Sequence, residues 1–170
     1  VECGWPGTNP MTDDLFAAAK KMNLKNTRIT AFGSTRRRDI KAEEDANLNA
    51  LIASGAKWAC IFGKTWDFQV EEVLNTSKEE NLAMIRDSVS YLKKSGMNVM
   101  FDAEHFFDGY ASDPVYALEA LGAATEAGAE WLVLCETNGG AMPYEVEAAV
   151  IAVRERFKDI AIGIHCHNDT

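Results

Sequence analysis

The densest chemistry in the sequence lies in Ile164-His165-Cys166-His167-Asn168-Asp169. In an extended strand, residues i and i+2 share a face. His165 and His167 would therefore present both imidazoles to one side and Cys166 its thiol to the other. Two imidazoles and a carboxylate suit Mn, Zn or Fe, or Mg when water or substrate oxygens complete the shell. Two strand-end histidines hydrogen-bonded to a loop are the alternative. The metal reading gains because these are two of the chain's three histidines. The second cluster is Asp102-Ala103-Glu104-His105-Phe106-Phe107-Asp108. Asp102 and Glu104 also share a face, and paired acids at a strand tip can orient a substrate or a metal-bound water, or take a proton. Either acid could instead cap a loop or a helix. His105 reads as loop structure, and Phe106 and Phe107 as packing at the mouth.

The third cluster is Glu136-Thr137-Asn138-Gly139-Gly140. A Thr hydroxyl after a strand can hold a substrate carboxylate, and the glycines let the backbone approach closely. A plain turn with a helix cap is the competing reading. Glu2 and Lys64 are candidates at two other tips. Cations concentrate only at Arg36-Arg37-Arg38, a solvated loop or, through Arg36, a contact to a substrate anion.

These clusters need strands to position them. Short apolar, β-branched runs at 27–32, 58–62, 98–101, 131–135 and 160–164 fit strands buried on both faces, as in parallel sheets. A further strand is expected to end at Val1 and Glu2. Helical spacing of apolar residues marks 13–22, 81–93, 114–127 and 145–157. Thr76-Ser77 and Pro143 signal helix starts, and Gly55, Gly96 and Gly128 signal left-handed stops before strands. The result is an alternation of strand and helix in units of 30 to 40 residues. No G-x-G-x-x-G follows the first run, so a dinucleotide-binding sheet has little support. Polar residues follow nearly every strand. In a (β/α)8 barrel those tips surround one mouth, where barrel active sites sit. We expect an α/β fold, an incomplete TIM barrel of about six βα units forming one domain over residues 1–170.

Composition bounds the function. The chain has 170 residues, a net charge of −9, 47% hydrophobic and 25% charged residues. That is globular composition and argues against a disordered tail. The acidic balance argues against a nucleic-acid partner, and no apolar run approaches the ~18 residues of a membrane span. The first residues, with an acid, Trp, Pro and Gly and no basic start or apolar core, are not expected to form a secretory signal. Cys3, Cys60, Cys135 and Cys166 form no C-x-x-C, so reduced thiols and a cytoplasmic location are expected.

Several runs resemble the family of 2-isopropylmalate synthase, homocitrate synthase and HMG-CoA lyase. They are residues 2–10 (ECGWPGTNP), 31–37 (AFGSTRR), 61–67 (IFGKTWD), 101–109 (FDAEHFFDG), 134–140 (LCETNGG) and 163–169 (GIHCHND). FGSTRR and FDAEHFFDG point to the citramalate-synthase-like branch; HCHND is common to the wider family. The resemblance implies a barrel that condenses acetyl-CoA with pyruvate, or a related 2-keto acid, in branched-chain amino-acid biosynthesis. It implies a divalent metal (Mn, Mg or Zn) on His165 and His167. It also implies Glu104 as the catalytic carboxylate, substrate contacts from Thr137, Asp102, Glu2 and Arg36, and a homodimer for the full-length protein. Position 136 is Glu where the family pattern has Asp, and position 69 is Gln where His is frequent. The family's D-x-T-x-R-D first strand and glycine-rich last strand have no counterpart here. We therefore expect a piece of the catalytic barrel, inactive alone. Related synthases, a C–C lyase on the same scaffold, a metal-dependent hydrolase and an interaction module are the alternatives.

Overall fold

A computed structural model describes residues 1–167 and contains five strands, all parallel and each paired to the next in sequence: β1 (Thr30–Ser34), β2 (Trp58–Lys64), β3 (Asn98–Glu104), β4 (Trp131–Glu136) and β5 (Ala161–Cys166). Doubly wound sheets reverse strand order at a switch point. These five strands never reverse, as in the arc of a barrel wall. Glu2 adds a parallel bridge to Thr30, so the stretch expected to end a sixth strand contributes a single rung. The fold is thus an incomplete (β/α) barrel of five strands and this rung. Asn168 and Asp169 of the histidine motif lie outside the described residues.

Four helices begin where short polar side chains accept a free backbone N–H. Asn9 accepts from Thr12, Asp45 from Leu48, Ser77 from Glu80 and Asp113 from Tyr116. The helices are α1 (Pro10–Ala19), α2 (Ala46–Ala53), α3 (Lys78–Lys94), α4 (Phe106–Ser112), α5 (Pro114–Glu126) and α6 (Pro143–Arg156). The Asn9-Pro10 pair starts α1 three residues before the apolar spacing suggested. Two helices escaped that spacing altogether. α2 is only eight residues long. α4 carries Gly109 in its middle, where a Cβ would collide with the Thr65 carbonyl oxygen. Gly55, Gly96 and Gly128 all take positive φ, as their position after helices required.

The strands run further than their apolar stretches. Ser34, Lys64, Glu104, Glu136 and Cys166 are terminal strand residues, so the polar tips inherit the pleat. Alternation then sorts the two faces. Ala31, Ile61, Val99, Phe101, Ala103, Leu132 and Leu134 are fully buried in the core beneath the helices. Ile85, Val89 and Leu92 of α3 and Ala117, Ala120 and Leu121 of α5 belong to the same core. Each large side chain there contributes about 1.5–3 kcal/mol. The opposite face, a barrel's interior, carries Phe32, Cys60, Phe62, Lys64, Asp102, Glu104, Cys135 and His165. Among the described residues no helix is long and apolar enough to cross a membrane.

Candidate functional site

The inward face becomes polar toward the C-terminal ends of β3, β4 and β5. Register sets the geometry. Phe62 lies opposite Asp102, Lys64 opposite Glu104, and Cys135 opposite His165. Lys64 Nζ sits 2.5 Å from Glu104 Oε2, with both side chains largely buried. This ion pair ties the tip of β2 to that of β3 and fixes the Glu104 carboxylate. Asp102 accepts a hydrogen bond from the Cys60 thiol at 3.1 Å. Burial pushes the Asp102 carboxyl up, against the opposing pull of that bond and of His165. Glu2 reaches the same space: burial first and Asp102 second raise its carboxyl, while His165 lowers it. Burial, reinforced by Asp102, also raises the Cys60 and Cys135 thiols, so both stand as neutral thiols.

His165 and His167 share a face as alternation requires. Their rings stack with centroids 5.5 Å apart and planes 21° from parallel. The His167 N–H donates to the Glu136 carbonyl, which continues the ladder past the end of β5. Ligand atoms of Asp102, Cys135 and His165 all lie within 4.8 Å of one another, a spacing that could hold one ion. The set offers one imidazole nitrogen, one carboxylate oxygen and one thiol, donors that a divalent metal accepts.

Thr137 lies just beyond β4, and its Oγ1 accepts the His105 backbone N–H at 2.9 Å. His105 has φ 56°, an uncommon left-handed conformation for a side-chain-bearing residue. That kink turns the chain from β3 into α4. The His105 Nδ1 sits 3.0 Å from Asp108 Oδ2, and Asn138 donates to Asp108 Oδ1 at 2.9 Å. His105 is thus held as part of the loop, while Phe106 and Phe107 are buried core residues.

Arg36 departs from the expected substrate contact. Its guanidinium turns outward to α3, pairing with Glu80 at 2.7 Å and Asp87 at 2.9 Å. Burial alone would lower its pKa, but the bonds to Glu80 and Asp87 outweigh that and raise it. Its backbone N–H donates to the buried Ser88 hydroxyl. With the fork saturated by two carboxylates, Arg36 anchors the β1 loop to the helix layer. The run 36–38 is therefore no simple solvated loop either, because Arg36 is buried. Glu136, read as part of a turn, is the buried last residue of β4 and alternates with Leu132 and Leu134 on the helix side.

Sequence reading passed over Cys60 and Cys135 as site residues because both sit in apolar runs. Counting by twos from Lys64 and from Val133 would have put them on the inner face. All four cysteines are free thiols, two of them buried and Cys166 exposed.

Comparison with known proteins fits this geometry. The family model described as HMGL-like matches residues 1–170. The chain belongs to the HMGL-like family. It is 52% identical to "(R)-citramalate synthase" of Aquifex aeolicus and 48% identical to the protein of the same name from Geobacter sulfurreducens. Both matches cover all of this chain and 32% of the relative, so the chain spans about a third of their length. Among solved structures, the HMG-CoA lyase of Brucella melitensis superposes with a TM-score of 0.73 at 14% identity. That match covers 96% of this chain and 55% of the lyase, and it bears on the fold alone. Membership agrees with the arc of parallel strands and with the polar tips on its inner face.

Proposed function

We propose that this chain supplies much of the active site of an enzyme condensing acetyl-CoA with pyruvate to give (R)-citramalate and CoA. The observation that carries the reading is the 52% identity to a citramalate synthase over every residue of the chain. The inner face supports it, being polar where a small keto acid would sit and apolar elsewhere.

His165 and His167, with Glu2 or Asp102, would hold a divalent ion, Mn, Mg or Zn, which when bound polarises the ketone of the keto acid. The residues of this chain do the remaining work. Thr137 already accepts from His105, so its hydroxyl proton is free to point at a substrate carboxylate. Glu104, fixed by Lys64, positions or accepts the proton that leaves the acetyl methyl. The resulting enolate carbon attacks the ketone carbon, and hydrolysis of the thioester then releases CoA. Asp102, oriented by the Cys60 thiol on the same inner face, contacts the substrate beside Thr137 and Glu104. The same reading takes the complete protein as a cytoplasmic homodimer and this piece as inactive alone.

The test is CoA thiol release by the complete protein from acetyl-CoA with pyruvate, 2-oxoisovalerate or 2-oxoglutarate. Pyruvate-dependent release is expected. Release with 2-oxoisovalerate or 2-oxoglutarate alone would reassign the enzyme to a related synthase. No release with any of the three, together with cleavage of a 3-hydroxyacyl-CoA, would make it a lyase.

A further inference from the structure

We propose that Asp102, Cys135 and His165 form a second, thiophilic metal site that competes with the histidine pair for His165. Cys135 and His165 are register partners on adjacent strands and face the same side. Asp102 is aligned with Val133, two residues before Cys135, so its carboxylate approaches the thiol diagonally on that face. Ligand atoms of the three lie within 4.8 Å of one another, and closing to the roughly 3.3–3.8 Å between donors on one tetrahedral ion needs side-chain movements of only about an ångström. The Cys60 thiol donates to Asp102 Oδ1, which orients the carboxylate and leaves Oδ2 for an ion. Glu2 lies close enough for Asp102 to raise and His165 to lower its carboxyl.

One sulfur, one nitrogen and carboxylate oxygen select Zn(II), Co(II) or Cd(II) over Mg(II) or Mn(II), which favour oxygen-rich shells. On binding, the Cys135 thiol gives its proton to solvent as the sulfur–metal bond forms. A soft ion seated there takes His165 from His167. In the protein loaded with Mn(II) or Mg(II), thiophilic ions should therefore inhibit by displacing that ion, and a chelator followed by fresh Mn(II) or Mg(II) should reverse the effect.

The complete protein loaded with Co(II) tests this. A sulfur-to-cobalt charge-transfer absorption in the near ultraviolet is expected. It should vanish in Cys135→Ser and persist in Cys60→Ser and His167→Ala. Circular dichroism of each variant separates loss of the site from loss of the fold, and prior alkylation of the wild-type thiols gives a second route. Bound Co(II) with no thiolate absorption in the wild type would overturn the proposal, as would a band unchanged in folded Cys135→Ser. The spectrum needs no turnover, so it is independent of whether pyruvate is the substrate.

Discussion

The two halves of the barrel rim differ in what their strand tips do. Over β1 and β2, Trp5, Phe32 and Phe62 pack with centroids 5.6–5.8 Å apart, and Arg36 turns outward to two carboxylates on α3. Over β3, β4 and β5, Asp102, Glu104 and His165 face inward, with Thr137 just past β4. Lys64 stands at the join, its ammonium 5.8 Å from the Phe62 ring centroid and paired to Glu104. Both halves carry charged residues just after strands. Charge alone does not mark a site; the face on which the charge falls does. A guanidinium turned to the helix layer and saturated there is structure, whereas imidazoles and carboxylates that converge on the inner face, Glu104 with its Lys64 partner among them, are placed for chemistry.

The comparison breaks most visibly at Glu104. In the complete protein, Glu104→Gln should lower kcat/KM by about 10²- to 10⁴-fold per folded molecule, and because it leaves the largely buried Lys64 unpaired it should lower the thermal midpoint as well. His105→Ala, in the loop behind it, should lose much less. Steady-state kinetics of the pair decides, and a larger loss at His105 would invert the assignment. Next is His165→Ala, which should weaken metal binding more than the roughly 100-fold upper range of outer-shell changes. Calorimetric titration with Mn(II) would measure it, and unchanged affinity would remove His165 from the ligand set.

The first half of the rim should respond in stability alone. Arg36→Ala leaves Glu80 and Asp87 unpaired. Because both carboxylates reach solvent, the cost falls between that of exposed and buried pairs, about 2 kcal/mol. Denaturant unfolding should show that loss, while turnover per folded molecule stays near wild type. A collapse of turnover at full stability would restore Arg36 as a substrate contact. The smallest effect is expected for Phe62→Leu, which loses ring contacts to Trp5 and Phe32 for about 1 kcal/mol. An unchanged unfolding midpoint would show that the aromatic cluster adds no stability.

The site was partly legible before folding. The i, i+2 spacing of His165 with His167 and of Asp102 with Glu104 correctly gave each pair a common face. Glu2 was a candidate as the tip of a strand expected to end there, a strand the structure reduces to one bridge. What misled was Arg36. A basic residue after a strand looks the same whether it turns to the mouth or to the helix layer, and the carboxylates that decide lie 44 and 51 residues away.

By itself, then, the sequence determined strand–helix alternation, parallel pairing and the parity of each inward residue. Those depend on local periodicity and on caps such as Ser77 and Gly96, interactions a few residues long. Tertiary structure alone decided which parities met. Cys60 became a site residue because strand register brought its thiol to Asp102, and Cys135 because register set it opposite His165. Such contacts join residues 30 to 42 positions apart, and they arise only when the burial of one sheet face fixes every strand's register at once.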